Sequence, residues 1–151
     1  MLQVERPADM KTYIGKKLGT SDWALIDQPT IDKFAEATGD HQWIHVDVER
    51  AKREMPGGKT IAHGYLTLSL LPGLSNQIYA IRERSRGINY GSNRVRFTAP
   101  VPAGSRVRLH LTLLGVEDIE GGVRMIFQNQ VEIEGVSRPA LVAETLGLAF
   151  D

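Results

Sequence analysis

The second half of the chain alternates apolar and polar residues along four segments, and this pattern most constrains the fold. The alternation runs through residues 88–97, 106–113, 123–133 and about 140–150. A period of two residues places successive side chains on opposite faces of a β-strand. Because only short turns separate these segments, the strands must be antiparallel, with one face buried and the other in water.

The first half of the chain has helical spacing instead. Pro29 opens a helix that Thr30 could cap and that Gly39 ends, and Asp47 is predicted to cap a second short helix that runs through Glu54. Residues 61–81 are the most apolar segment, and a helix that is apolar on nearly every side is a buried one. Within this segment, Pro72-Gly73 should kink or interrupt the helix.

These two halves predict an α+β protein, in which one long buried helix lies on a curved antiparallel sheet. A single sheet covers only one side of such a helix, and its edge strands remain unpaired. We therefore expect a symmetric homodimer that extends the sheet edge to edge.

Length and composition exclude several classes of protein. A chain of 151 residues predicts one domain, residues 1–151. The absence of cysteine excludes disulfides, thiolate metal sites and a cysteine nucleophile. The 18 basic and 18 acidic residues cancel, which argues against a general nucleic-acid partner. No secretory signal and no uninterrupted run of about 18 apolar residues is present, so we expect a cytoplasmic protein without a membrane partner.

A polar loop at residues 37–47 follows the first helix and contains a possible acid–base pair. Asp40 and His45 are five positions apart, and a tight loop could bring both side chains to one water molecule. A carboxylate and an imidazole are well suited to exchange a proton near neutral pH. Taken alone, the spacing is more typical of a turn-capping aspartate and a surface histidine.

The stretch Ala62-His63-Gly64-Tyr65 begins the apolar segment. The first amides of a helix have no partner within it and lie at its positive end. A glycine there lets a carbonyl oxygen approach the backbone closely, as in an oxyanion hole. The alternative is a helix-start glycine beside a capping histidine.

Together, G-D-H-Q-W-I-H-V-D at 39–47 and I-A-H-G-Y-L at 61–66 resemble the MaoC-like or (R)-specific enoyl-CoA hydratase (hydratase 2) family, and within it the NodN-like subgroup. The pattern R-F-x-x-P-V at 96–101 is similar to the family's sheet. The resemblance covers about residues 12–150. It implies the hot-dog fold, a homodimer and hydration of trans-2-enoyl-CoA to (3R)-hydroxyacyl-CoA, without a cofactor or a metal.

The resemblance also implies roles for single residues. Asp40 and His45 would activate water, and we favour Asp40 as the base toward water and His45 as the proton relay to Cα, although their roles could be exchanged. The Gly64 amide would bind the thioester oxygen, and Gln42 would orient water or the Asp40 carboxylate. His63 and Tyr65 would line the site.

One departure from the family pattern affects the loop. Gln42-Trp43 stands where the family commonly has Asn-Pro, so the fixed φ of proline is lost. We expect packing of the Trp43 ring to hold the loop instead.

The zero net charge hides a basic region. Residues 80–110 contain seven arginines and one acidic residue, Glu83, a local balance of 7 − 1 = +6. Some of these arginines fit a solvated strand face. Others could contact the phosphates of CoA, for which the planar guanidinium is well suited, and the candidates are Arg84, Arg86, Arg94 and Arg96.

Three other functions fit the same residues. The first is a hot-dog acyl-CoA thioesterase, and the second is a non-catalytic acyl-binding partner subunit. The third is a dehydratase that acts on acyl-carrier protein instead of CoA. In each case segment 72–88, with its glycines and proline, is a candidate to shape the acyl tunnel.

Overall fold

The computed structural model describes residues 1–151. Eight strands are present: β1 (Leu2–Val4), β2 (Lys17–Thr20), β3 (Ala24–Ile26), β4 (Tyr79–Ile81), β5 (Arg86–Phe97), β6 (Ser105–Ile119), β7 (Gly122–Ile133) and β8 (Leu141–Phe150). The five helices are α1 (Gln28–Thr38), α2 (Trp43–Val46), α3 (Val48–Glu54), α4 (Gly64–Ser69) and α5 (Leu71–Ser75). Two 3₁₀ segments, Pro7–Tyr13 and Pro56–Gly58, complete the secondary structure.

Six strands form one antiparallel sheet in the order β2-β6-β7-β8-β5, with β3 also paired to β6. The predicted alternation is confirmed in β6 and β7, whose inward residues are buried: Val107, Leu109, Leu111, Leu113, Val123, Met125, Phe127, Asn129, Val131 and Ile133. This inner face and the helices share one core of 24 buried apolar residues. The helical spacing in the first half of the chain and the two-residue alternation in the second half thus predicted the observed α+β architecture.

Strand β5 departs from the predicted pattern. It lies at the edge of the sheet and pairs only with β8, so nearly all of its residues are exposed. Its register shifts between Asn89 and Gly91 and again between Ser92 and Arg94. The expectation of one buried face was therefore wrong for this strand, since each shift moves side chains to the other face.

The helix ends follow from their caps, with one correction. Asp27, and not Thr30, caps α1, because the Asp27 side chain accepts a hydrogen bond from the Thr30 amide at 3.0 Å. The hydrogen bonds from Thr30 hold the pKa of Asp27 below its usual value. Gly39 ends α1 with a φ of 78°, a left-handed conformation that favours glycine. Asp47 caps α3 as predicted.

The apolar segment forms a shorter helix than expected. Two helical pieces, α4 and α5, meet at Leu70, and Pro72 lies in the first turn of the second piece. The predicted interruption is thus confirmed, whereas the helix does not reach residue 81. The end of the segment forms β4, which pairs with β1 in a separate parallel sheet that the sequence did not predict. None of the helices is sufficiently long and apolar to cross a bilayer.

Candidate active site

Three side chains converge where α1 ends, α2 begins and α4 begins. Asp40 follows the Gly39 cap, His45 lies in α2, and His63 directly precedes α4. A carboxylate oxygen of Asp40, a ring nitrogen of His45 and a ring nitrogen of His63 all lie within 4.8 Å of one another. The structure therefore brings the predicted pair together and adds a second imidazole to it.

His45 is buried, with 7% of its surface exposed, and the backbone fixes its orientation. Its Nδ1 lies 2.6 Å from the carbonyl oxygen of Ile61. A carbonyl only accepts hydrogen bonds, so Nδ1 carries the proton of the neutral ring. Nε2 is then left with a free lone pair, which makes His45 a proton acceptor at this atom.

Asp40 is exposed and held through its backbone. Its carbonyl oxygen accepts a hydrogen bond from His63 Nε2 at 2.9 Å. Its carboxylate accepts a longer bond, 3.3 Å, from the backbone amide of Gln42. The contact between Gln42 and the carboxylate thus comes from the Gln42 main chain, and the exposed Gln42 side chain is free to reach solvent.

His63 is the most enclosed of the three, with 2% of its surface exposed. Its ring stacks on His45 with centroids 3.8 Å apart, and the Phe34 ring packs beside it at 4.9 Å. Because Nε2 donates to Asp40, Nδ1 is the unprotonated nitrogen, and it is buried without a hydrogen-bond partner. The sequence predicted that His63 could line the site, whereas its contacts here are with the two predicted catalytic residues.

Gly64 begins α4, and the amides of Gly64 and Tyr65 donate to no acceptor within the chain. A Cβ atom at position 64 would lie only 2.9 Å from the Phe97 ring, so any side chain there would displace this ring. Tyr65 is 68% exposed and contacts Phe97 edge to face. A glycine is therefore required by close packing, and its amide is free for a ligand.

Trp43 occupies the first position of α2, with Gln42 as the residue before the helix. Proline favours this first helical position, which explains why the family pattern has proline there. The guanidinium of Arg50 lies 4.0 Å from the centre of the Trp43 ring. The Trp43 ring therefore has a packing partner in α3, and its role in holding the loop stays a prediction.

Gln28 was not identified from the sequence. Its side-chain amide donates to the carbonyl oxygen of His45 at 2.7 Å, and its oxygen accepts a hydrogen bond from the Thr60 hydroxyl. Thr60 directly precedes Ile61, which holds the His45 ring. Gln28 thus links the start of α1 to the His45 backbone and to Thr60, which are 17 and 32 positions away in the sequence.

Comparison with known proteins decides the family. The model of the MaoC like domain matches residues 9–134. The chain belongs to the MaoC-like dehydratase family. It is similar to the 3-hydroxyacyl-thioester dehydratase Z of Mycobacterium tuberculosis, with 52% identity over 97% of each chain. It is also similar to Nodulation protein N of Rhizobium leguminosarum, with 50% identity over 90% of this chain and 86% of that one.

The fold of this MaoC-like chain is similar to that of the R-hydratase PhaJ1 from Pseudomonas aeruginosa. The TM-score is 0.73 at 22% identity, and the match covers 91% of this chain and 82% of that one. The hot-dog fold expected from the resemblance is confirmed, with α4 and α5 packed on the curved sheet.

The four candidate arginines of the MaoC-like chain lie at two ends of β5. Arg94 and Arg96 are close to Phe97 and so to Gly64, whereas Arg84 and Arg86 lie on the order of 30 Å away along the strand. Arg86 stacks on Phe150, and Arg96 donates to the carbonyl of Val95. Three further arginines of the basic region form ion pairs with acids: Arg82 with Glu5, Arg106 with Glu134 and Arg108 with Glu132.

A cavity of about 320 Å³ lies between the helices and the inner face of the sheet. Its wall includes Leu68, one helical turn beyond Gly64, together with Leu71, Tyr79 and Arg84, whereas Asp40, His45, His63 and Gly64 do not line it. Burial raises the pKa of the Tyr79 hydroxyl, and the nearby Arg84 opposes this effect. Much of the wall comes from segment 72–88, the segment that the sequence proposed for an acyl tunnel.

Proposed function

We propose that this protein catalyses the reversible, (R)-specific hydration of trans-2-enoyl-CoA to (3R)-hydroxyacyl-CoA. Two observations carry the proposal: the Asp40 carboxylate lies within 4.8 Å of a ring nitrogen of His45, whose Nε2 has no partner in the chain, and the amides of Gly64 and Tyr65 are unpaired at the start of α4. These groups supply an acceptor for each hydrogen of a water molecule and a donor for a developing negative charge. The names of the dehydratase and hydratase relatives agree with this chemistry.

Water would be held between the Asp40 carboxylate and His45 Nε2. Both are acceptors, so both hydrogens of the water are engaged and an oxygen lone pair is left to attack Cβ. Asp40 takes one proton as the C–O bond forms. That proton passes to His45 Nε2 and then to Cα, so the product gains one OH and one H. The Nδ1 hydrogen bond to Ile61 stabilises the imidazolium that forms during the transfer.

Attack at Cβ moves the π electrons toward the thioester oxygen. The Gly64 amide would donate to this oxygen, and donors of this kind contribute about 10²–10³ in rate. Since the Phe97 ring lies against the Cα of Gly64, it fixes the side from which the thioester can approach. No cofactor and no metal takes part in these steps.

The acyl chain would extend from Gly64 into the cavity along α4 and α5, and CoA would lie outside. Arg94 and Arg96 are the candidates for its phosphates on the same chain, because they lie at the Gly64 end of β5. Arg84 lines the far end of the cavity, and Arg86 stacks on Phe150, so both would contact CoA only through a second copy of the chain.

That second copy would pair along β5. The outer edge of this strand has no partner, and three of its apolar residues are well exposed: Ile88, Tyr90 and Phe97. Pairing of two copies would continue the sheet and cover Tyr65 beside the site. Light scattering of the purified protein should give twice the 16.7 kDa mass of one chain. A mass equal to one chain would exclude the homodimer.

The test of the function is an absorbance assay of trans-2-enoyl-CoA hydration with chains of four to twelve carbons. We expect loss of the enoyl absorbance and, by chiral analysis, an (R) product. An (S) product, or no loss of absorbance at any chain length, would contradict the proposal. The same series on acyl-carrier protein determines which carrier the enzyme prefers.

A parallel assay separates hydration from thioester hydrolysis. A thioesterase would release a free thiol from saturated acyl-CoA, which has no double bond to hydrate. The proposal predicts no thiol release above the rate without enzyme. Thiol release without any change in enoyl absorbance would instead favour the thioesterase, and binding of acyl-CoA without either reaction would favour a non-catalytic subunit.

A further inference from the structure

We propose that Asn129 and Thr145 form a polar subsite inside the cavity that recognises a hydroxyl group on the acyl chain. This inference rests on the proposed acyl-thioester substrate and narrows its class to acyl chains with a second oxygen beyond the reacting carbons. The two residues are diagonal neighbours on the inner faces of β7 and β8, and both line the cavity.

Asn129 is an amide in an otherwise apolar row, with only 2% of its surface exposed. Its Nδ2 donates to Thr145 Oγ1 at 2.8 Å and lies 3.4 Å from the carbonyl oxygen of Ala143. These two acceptors identify which end of the amide carries the hydrogens. The amide oxygen, Oδ1, receives no hydrogen bond from the chain.

The free Oδ1 opens into the cavity. The one fully enclosed polar side-chain atom without a partner in this protein is His63 Nδ1. Oδ1 of Asn129 also lacks a partner, so it must keep contact with the open volume that Asn129 lines. An acceptor that faces this volume is available to a hydroxyl or amide donor on a ligand that enters the cavity.

Thr145 supplies the complementary group. Its oxygen accepts the hydrogen bond from Asn129, and its own hydrogen has no acceptor within the chain. The pair therefore presents one acceptor and one donor side by side, in a wall that includes Leu111 and Phe127. A hydroxyl group satisfies both, because it donates to Oδ1 and accepts from the threonine.

The sheet register relates this subsite to Phe97, which contacts Gly64. Phe97 pairs with Leu141 on β8, and Asn129 on β7 pairs with Ala143, two residues further along. Because β5 and β7 lie on opposite sides of β8, Phe97 and Asn129 are about 7 Å apart along the strands and about 10 Å apart across them. This is within reach of the middle of an acyl chain that enters the cavity from Gly64.

The test compares the binding of one series of ligands. Isothermal titration calorimetry measures binding of octanoyl-CoA and of its analogues with a hydroxyl at C5, C6, C7 or C8. We expect one of the analogues to bind about 10-fold more tightly than octanoyl-CoA, the effect of one or two neutral hydrogen bonds. Thr145→Val, which keeps the shape of the side chain, should remove this preference, so that octanoyl-CoA and the analogue bind within about 2-fold of each other.

Two further variants make the comparison specific. Asn129→Leu should abolish the preference as Thr145→Val does, whereas Gln128→Leu, on the outer face of the same strand, should retain it. Equal binding of all analogues to the wild type, absence of any acyl-CoA binding, or a preference that survives Thr145→Val would each overturn the subsite. Because these ligands have no double bond, failure of hydration in the enoyl assay would contradict the proposed function and leave this result unchanged.

Discussion

His63 Nε2 donates a 2.9 Å hydrogen bond to the backbone carbonyl of Asp40, while its ring stacks on His45. One buried side chain thus contacts both members of the proposed acid–base pair, at a position where its own nitrogens are shielded from substrate. A misplacement of a catalytic group by about 1 Å can reduce the rate about 10²-fold. We therefore propose that His63 is a positioning residue.

Substitution of His63 should lower kcat more than it changes KM. His63→Leu removes both the donor and the ring, and we expect a loss of about 100-fold in kcat. His63→Gln places an amide nitrogen near the position of Nε2, and its kcat should be about tenfold higher than that of His63→Leu. Equal activity of the two variants, with the same melting temperature, would show that the hydrogen bond to Asp40 does not position the carboxylate.

Gly64→Ala tests the close approach to Phe97. The new methyl group would lie 2.9 Å from the ring, so either the ring or the start of α4 must shift. We expect a reduction of about 10–100-fold in kcat/KM, because the amide moves away from the thioester oxygen. The double variant with Phe97→Ala makes room for the methyl group and should recover activity over the single variant. No recovery would indicate that the ring does not set this geometry.

The sequence predicted the sheet well because a period of two is a local signal. Within residues 107–113 of β6, the polarity of each side chain indicates which face of the sheet it lies on, and the apolar ones are buried as predicted. Strand β5 has a similar alternation of apolar and polar residues, yet its two register shifts and its position at the sheet edge change which side chains are buried. Such shifts depend on the pairing with β8, which no local pattern in β5 encodes.

In the candidate site, too, the residues in local motifs were predictable from the sequence, whereas the contacts made by the tertiary fold were not. Asp40, His45 and Gly64 lie in two short motifs, so their proximity was predictable from the resemblance. The contacts that hold them come from elsewhere: Gln28 reaches His45 from α1, and Phe97 reaches Gly64 from β5. These residues are single side chains without a motif of their own, and only the tertiary fold brings them to the site.

Removal of metal ions should not affect activity. Asp40, His45 and His63 are spaced closely enough to hold a metal ion, but the proposed mechanism uses only the Asp40 carboxylate and the free nitrogen of His45. The carboxylate and the free imidazole nitrogen suffice for the proposed proton transfers. Hydration rates before and after dialysis against EDTA should agree. A loss of activity that Zn²⁺ restores would mean that these donors hold a catalytic metal.

The ion pairs on the outer face of the sheet should make stability depend on pH. Hydrogen bonds from Arg108 and His110 hold the pKa of Glu132 below its usual 4.5. A carboxyl group whose pKa is lower in the folded state stabilises the fold when the pH is above its unfolded-state pKa. This contribution is lost as the pH falls through its folded-state pKa. Below pH 4.5 the wild type should therefore lose stability that Glu132→Gln never had.

Urea unfolding at pH 7 and at pH 3 measures this difference. We expect the wild type to exceed Glu132→Gln by about 1 kcal/mol at pH 7 and by less at pH 3. The control variant is Glu120→Gln, because Glu120 is exposed and makes no ion pair. A constant difference between the wild type and Glu132→Gln at both pH values would contradict this account.

The most direct test of the account is the hydration rate of trans-2-enoyl-CoA with Asp40→Asn and His45→Gln. Both variants keep the size of the side chain, so their circular dichroism spectra should match the wild type. Each should reduce kcat by about 10²–10⁴-fold, and the double variant should be little worse than the poorer single variant, since the two groups act on the same proton. Full activity in either single variant would contradict the assignment of Asp40 and His45 as the pair that activates water.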